Sequence, residues 1–216
     1  MKNINNFCDN LEILESKNPI NYLEAISIME KKVASVLKNE TSELIWFLEH
    51  PSIYTSGRGS FINLSNINNI PVYNTGRGGK ITWHGPGQRI LYFVINLKKR
   101  NIDIRKFVYN LEEFIINSLE DLNILAYRKK GLVGIWTKNN QNIDAKISSL
   151  GLRVKRGIIY HGVSLNVKCD LSNFYKIEAC GIKNPSVTSV NALIGINDCD
   201  KVDNILKKNI NSIFAI

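Results

Sequence analysis

Between Asn21 and Asn39 the apolar residues Leu23, Ile26, Met29, Val33, Val36 and Leu37 recur at helical spacing. That period predicts an amphipathic helix, with Pro19 near its first turn. Leu44 to Leu48 is a short apolar run that suits a buried strand and ends in Glu49-His50-Pro51. Ile90 to Leu97 is nearly apolar on both faces, as central strands of covered sheets are. From Asp103 to Leu122 the pattern returns to a helical period. Ile104, Phe107, Val108, Leu111, Phe114, Ile115, Leu119 and Leu122 form one stripe there, with Asp103 placed as the cap. Lys146 to Val154 and Ile158 to Val167 read as paired strands joined by a Lys155-Arg156-Gly157 turn. In the second of these, Val163, Leu165 and Val167 share one face while Gly162, Ser164 and Asn166 share the other. A face of small polar groups lets a ligand approach a sheet closely. Asp200 to Ile216 reads as a terminal helix. Helices interleave with strands without a regular βαβ rhythm, so the expected fold is α/β, a mixed central β-sheet with packed helices. No repeat, linker or domain boundary interrupts it, which makes residues 1–216 one expected domain.

Composition narrows the classes without choosing among them. The hydrophobic share of 44% and charged share of 22% suit a globular chain and exclude a disordered, collagen-like or coiled-coil protein. The longest purely apolar run, Ile90 to Ile95, is far short of the ~20 residues that span a bilayer. The first ten residues carry no apolar h-region, so no secretory signal is visible and a cytoplasmic location is expected, with no membrane partner. Cys8, Cys169, Cys180 and Cys199 fall at irregular spacing, which favours neither a disulfide framework nor a zinc site. Lys plus Arg exceed Asp plus Glu by 28 to 19. The excess is concentrated: no acidic residue lies between Glu49 and Asp103, nor between Asp144 and Asp170. Solvated surface lysines account for Lys98 to Arg100. They account poorly for Arg77 and Lys80, which lie inside a glycine cluster.

Half of the chain's glycines fall between Gly57 and Gly87. The densest segment is Gly76-Arg77-Gly78-Gly79-Lys80-Ile81-Thr82-Trp83-His84-Gly85-Pro86-Gly87-Gln88. It matches neither a P-loop nor a dinucleotide fingerprint. Two turns bracketing a short strand would explain the glycines equally well from spacing alone. Arg77, Lys80 and His84 in the same segment tilt the reading toward a site. Cys180 stands in Glu178-Ala179-Cys180-Gly181-Ile182. A lone cysteine is usually a small buried hydrophobe. A thiol nucleophile needs a base or cation to raise its thiolate fraction, and the candidates are the lysines and His50, His84 and His161. His50 precedes Pro51 and reads as a turn residue. His161 falls on the Val163 face and reads as a satisfied core histidine. Cys8, Cys169 and Cys199 have no chemistry around them and read as structural.

Five motifs in order resemble those of the lipoyl(octanoyl) transferase family. Arg77-Gly-Gly-Lys-Ile-Thr-Trp-His-Gly-Pro-Gly-Gln88 resembles that family's longest signature. Glu49-His-Pro-Ser-Ile-Tyr-Thr-Ser-Gly57, Lys146-Ile-Ser-Ser-Leu-Gly-Leu-Arg153, His161-Gly-Val-Ser-Leu-Asn166 and Cys180-Gly181 resemble four more. Two positions depart from the pattern: Ala179 stands where the family usually has proline, and Thr137 to Asp144 is a long asparagine-rich turn.

The resemblance implies a fold similar to the catalytic domains of biotin and lipoate protein ligases. It implies transfer of an octanoyl group from octanoyl-acyl carrier protein to a lysine of lipoyl domains, as found in 2-oxoacid dehydrogenase complexes and the glycine cleavage H protein. Cys180 would be the acyl-thioester nucleophile and Lys146 the neighbour that lowers its pKa. Arg77, Gly78, Gly79, Lys80, Ile81, Thr82, Trp83 and His84 would line the acyl and substrate pocket, with Ser149, Leu150 and Gly151 and with Gly162, Val163 and Ser164. No cofactor and no metal is implied. Acyl carrier proteins and lipoyl domains tend to be acidic, so the acid-free basic stretches would favour encounter with them.

Two rivals compete. An ATP-dependent lipoate or biotin ligase on the same fold would need no cysteine, and Gly57-Arg58-Gly59-Ser60 faintly echoes its basic glycine-rich loop. Cys180 argues for the thioester route. A basic nucleic-acid-binding module would show an RNP-like aromatic motif, a helix-turn-helix cue or an arginine-rich arm, and none is present, so no nucleic-acid partner is expected.

Overall fold

Alternating apolar side chains explain how the central strands are covered on both faces. In β2 (Glu43–Leu48), Ile45 and Phe47 point into one core while Leu44, Trp46 and Leu48 point into another. The strand β7 (Gln88–Asn96) divides the same way, with Leu91, Phe93 and Ile95 opposite Ile90, Tyr92 and Val94. The computed structural model describes residues 10–178 and 186–214.

The remaining described strands are β1 (Leu11–Glu15), β3 (Ile53–Ser56), β4 (Asn66–Ile67), β5 (Ile70–Asn74), β6 (Thr82–His84), β8 (Ala126–Lys129), β9 (Leu132–Lys138), β10 (Asp144–Lys155) and β11 (Ile158–Asn166). A seven-stranded sheet runs β1-β2-β7-β11-β10-β9-β8, parallel at β1–β2 and antiparallel elsewhere. A smaller sheet runs β4-β5-β3-β6, parallel at β3–β5. The mixed α/β architecture expected from the sequence is the one observed.

Helix α1 (Tyr22–Leu37) covers one face of the large sheet and is capped by Asn21, whose side chain accepts from Leu23 N–H. Its buried stripe is Tyr22, Ala25, Met29, Val33 and Val36. Leu23, expected in that stripe, stands in solvent, because the Tyr22 ring takes the inward position against His50 and Tyr73. After the short α2 (Leu97–Arg100), helix α3 (Ile104–Glu120) lies on the opposite face, capped by Asp103 as the sequence suggests. Phe107, Leu111, Phe114, Ile115 and Leu119 join the larger core there. The short α4 (Val190–Ile194) precedes α5 (Cys199–Asn209), which packs beside α3 and ends in a 3-10 turn, Ile210–Phe214, rather than continuing as a helix. Among the described residues, no helix is long and apolar enough to cross a membrane.

The β10–β11 hairpin turns through Arg156 and Gly157, both at positive φ, which suits the twist of a tight hairpin. Its register sets Ser149 opposite Ser164 and Gly151 opposite Gly162, so small residues face each other across both strands. The asparagine-rich segment before Lys146 is the β9–β10 hairpin loop. Asn139 organises it by accepting from Gln141 and Ile143 N–H, and Asn142 takes positive φ.

Candidate active site

The glycine segment after β5 forms a strap between the two sheets. Gly78 N–H donates to the Leu152 carbonyl at 2.9 Å, while Arg58 and Gly59 donate to the carbonyls of Arg77 and Gly79. Behind the strap lies a small inner cavity of about 50 Å³. Arg77, Gly79, Lys80, Ile81, Thr82 and His84 line it from one side. Ser149, Leu150 and Gly151 line it from β10, and Gly162, Val163 and Ser164 from β11. The three separated motifs therefore meet at one place. Trp83 does not join them: on β6 it alternates to the other face, packs against Phe174, and donates to Ser52 Oγ. Gly78 lines instead an outer cavity of about 470 Å³, together with Ile104, Val108, Leu132, Val133 and Lys146. Gly79, Lys80 and Ser149 to Gly151 border both cavities.

Inside the inner wall runs a continuous hydrogen-bond relay. The Arg77 guanidinium donates to the Thr55 carbonyl at 2.6 Å and to Thr55 Oγ1 at 2.8 Å. Thr55 Oγ1 lies 3.1 Å from His84 Nε2, and His84 Nδ1 lies 2.7 Å from Gln88 Oε1. Gln88 Nε2 donates to the Trp83 carbonyl and to Asn166 Oδ1, so Gln88 Oε1 must be the acceptor from His84 Nδ1–H. Burial, with smaller contributions from His50, Arg77 and His161, lowers the His84 pKa to about 3. The ring is thus neutral, and its Nε2 accepts from the Thr55 hydroxyl. With both nitrogens committed, His84 is a framework group rather than a free base.

Three residues of this region were missed or misread from the sequence. His50 is not a turn residue but fully buried. Its Nδ1–H donates to the Ile20 carbonyl at 2.6 Å and its Nε2 accepts from the Tyr92 hydroxyl at 2.8 Å. Burial lowers its pKa to about 4, against the opposing Ile20 bond. Tyr92, on the cavity wall, is held protonated by burial. His161 departs most from expectation. Its φ of 66° turns the ring out of the period-two alternation, away from the Val163 face, and stacks it on Tyr160 at 5.0 Å and against Tyr92 at 5.9 Å. A non-glycine residue in that conformation is strained, although histidine is among the more tolerant types. The adjoining Gly162 can only be glycine, because a Cβ there would overlap the Leu91 carbonyl. Far from satisfied, neither ring nitrogen of His161 makes a hydrogen bond among the described residues. Burial, then Arg77 and Arg153, lowers its pKa to about 3; the Tyr160 main chain opposes this slightly without forming a bond of normal geometry.

Lys146 enters from β10 and is 6% exposed. Its Nζ donates to the Val133 carbonyl at 2.6 Å and lies 5.2 Å from the centre of the Trp136 ring. Gly134 at φ 116° leaves room for it, since a Cβ there would press on Lys146 Cε. The Lys146 main chain is itself a junction: its N–H donates to the Ser186 carbonyl, and its carbonyl accepts from Thr188 N–H. Cys180 lies outside the described residues, six positions before Ser186 in sequence. Two of the other thiols suit structural roles. Burial pushes Cys169 up to about 12 and Cys199 up to about 11, which leaves them thiols at neutral pH. Cys8 lies outside the described residues. The carboxylates of Glu15, Asp200 and Asp203 lie within 4.8 Å of one another, but Lys207 holds Glu15, Arg89 holds Asp203, and none borders either cavity.

The sequence profile of the lipoyl protein ligase A/B catalytic domain matches residues 21–211. The octanoyltransferase of Ehrlichia canis (strain Jake) is 44% identical over 211 residues, covering 96% of this chain and 98% of its own. The chain belongs to the lipoyl protein ligase A/B catalytic domain family. It is therefore an enzyme, an acyltransferase like the octanoyltransferases it matches. The octanoyltransferase of Wolbachia sp. subsp. Brugia malayi (strain TRS) is 43% identical, over 94% of this chain and all of its own. Two solved structures show the family fold at low identity. A lipoate-protein ligase A bound with ATP superposes with a TM-score of 0.69 at 17% identity, over 94% of this chain and 84% of that one. The biotin protein ligase of Aquifex aeolicus superposes with a TM-score of 0.52 at 12% identity, over 94% and 68%.

Proposed function

We propose that this enzyme transfers an octanoyl group from octanoyl-acyl carrier protein to the acceptor lysine of lipoyl domains, through a thioester on Cys180. The acceptors would be the lipoyl domains of 2-oxoacid dehydrogenase complexes and the glycine cleavage H protein. The observation that carries the reading is the seat of Lys146. A buried ammonium borders the cavity, and its own peptide groups bind the chain that continues from the Cys180 segment. The six residues from Cys180 to Ser186 span at most about 20 Å when extended, a chain length that permits a thiol-to-ammonium contact.

In the first half-reaction the Cys180 thiolate attacks the donor's thioester carbonyl. The new C–S bond forms on Cys180, the donor's C–S bond breaks, and the carrier leaves as a thiol after taking a proton. In the second, the acceptor amine attacks the acyl-enzyme, the C–N bond forms, and Cys180 departs as thiolate while the amine gives up its proton. Lys146 supports both halves. An ammonium within ~4–6 Å favours the thiolate and lowers a thiol pKa by a unit or more. The inner cavity, with Ile81, Ile90, Leu150 and Val163 among its walls, suits an alkyl chain. Thioester exchange and aminolysis need neither ATP nor a metal, because the thioester already carries the activation.

The test is transfer from octanoyl-acyl carrier protein to an apo lipoyl domain, followed by mass spectrometry. Octanoylation at the acceptor lysine without ATP and in the presence of EDTA is expected. Transfer that requires ATP would favour the ligase chemistry instead.

A further inference from the structure

The His161 ring borders the inner cavity and not the outer one, while Lys146 borders the outer and not the inner. The two cavities share Gly79, Lys80 and Ser149 to Gly151 as their common border. The cavities therefore adjoin, and on the far side of the inner one from that border His161 is packed against Tyr160 and Tyr92. We take the acyl chain to run from the Lys146 side across the shared border into the inner cavity.

We propose that His161 is the end wall of the acyl pocket and sets the length of chain the enzyme accepts. The proposal rests on the octanoyl-transfer reading. His161 is 3% exposed and neither ring nitrogen has a partner among the described residues, so the imidazole is a buried polar group in the cavity wall. A chain longer by two methylenes must press hydrocarbon onto the imidazole. The ring has nowhere to retreat. Tyr160 and Tyr92 flank it, positive φ fixes its Cα–Cβ direction, and the Gly162 backbone behind it is packed against the Leu91 carbonyl. A rigid polar end wall is thus a chain-length gauge, and His161 a specificity-determining residue rather than a proton carrier.

The experiment compares octanoyl-, decanoyl- and dodecanoyl-acyl carrier protein as donors for the wild type, His161→Asn and His161→Gly. Asparagine tolerates the left-handed backbone and shortens the wall, and glycine relieves the backbone altogether. The wild type should prefer octanoyl over decanoyl. Both variants should raise the decanoyl-to-octanoyl ratio of kcat/KM by about tenfold or more, as removing a steric end wall does for one or two methylenes. A ratio unchanged while all donors slow equally would overturn the proposal and leave octanoyl transfer standing. A wild type that transfers no acyl chain would overturn both. The imidazole ¹⁵N resonances of wild-type His161 give a readout that needs no variant. They should differ between hexanoyl- and octanoyl-loaded enzyme, and insensitivity to chain length would contradict the gauge.

Discussion

The Thr55 hydroxyl joins Arg77 to His84, so its removal breaks the relay at its centre. Thr55→Val keeps the shape but leaves the buried His84 Nε2 without a donor, which costs about 1–3 kcal/mol. Urea unfolding should show that loss, with Thr55→Ser restoring most of it; equal stability of Val and Thr would mean the Thr55 hydroxyl does not support His84. At Lys146 the expected effect is electrostatic. Lys146→Ala should raise the midpoint of Cys180 alkylation by iodoacetamide, each unit corresponding to about 1.36 kcal/mol and roughly a tenfold loss of thiolate below both midpoints. Part of the rate returns through the higher nucleophilicity of a more basic thiol, so acylation should fall only a few-fold from this cause. Cys169 and Cys199 should stay silent in that titration, because burial holds both well above neutral pH, and a Cys8→Ser background removes the remaining thiol. Coincident midpoints in wild type and Lys146→Ala would uncouple the pair.

The hairpin that carries Lys146, the strap and the terminal helix hold the site by different means. Helix α5 is pinned to β7 by an ion pair, Arg89 to Asp203 at 2.6 Å, with Asp203 only 1% exposed. Burial raises the Asp203 carboxyl to about 6 while Arg89 opposes the rise; the short, buried contact with a guanidinium argues for the ionised carboxylate. Asp203→Ala strands the arginine and should cost about 3–5 kcal/mol, whereas the double replacement Arg89→Met with Asp203→Leu should recover most of it. Chemical denaturation of the wild type and these two variants checks this, and a double variant no more stable than Asp203→Ala would contradict it. Much at this scale was legible in the sequence: the α3 stripe with its Asp103 cap, the doubly buried β7 and the Lys155-Arg156-Gly157 turn all follow from period and turn chemistry. The strand β1, Leu-Glu-Ile-Leu-Glu at an exposed sheet edge, carries too little burial to announce itself. The short β3 and β6 gain their identity only from partners elsewhere in the chain. His161 was misread because alternation presumes extended backbone, and one positive φ moves the ring to the other face. The one available signal was a histidine beside glycine within a strand, a residue type enriched at that conformation.

At the scale of the whole molecule, three buried neutral imidazoles link folding to pH. His50, His84 and His161 have folded pKa values of about 4, 3 and 3, below the ordinary 6.5. Above pH 6.5 both states are neutral and the contribution is fully present. As pH falls below 6.5 the unfolded chain takes up protons that the folded chain refuses, and stability declines toward the folded values. Each histidine contributes up to about 1.4 kcal/mol per pH unit in that window. Urea midpoints should therefore drop steeply between pH 6.5 and 5, before most carboxylates titrate, and a flat profile there would mean the imidazoles are not buried neutral. The motifs that meet at the inner cavity are dispersed from residue 77 to 164, and only the sheet order brings them together. The proposed reaction turns on passage of the acyl group through Cys180. Brief incubation with octanoyl-acyl carrier protein, acid quench and peptide mass spectrometry measures it directly. A hydroxylamine-sensitive octanoyl adduct on the Cys180 peptide, lost on addition of an apo lipoyl domain, is the predicted result; an adduct on Cys8 or Cys169, or turnover with no acyl-enzyme at any time, would contradict it.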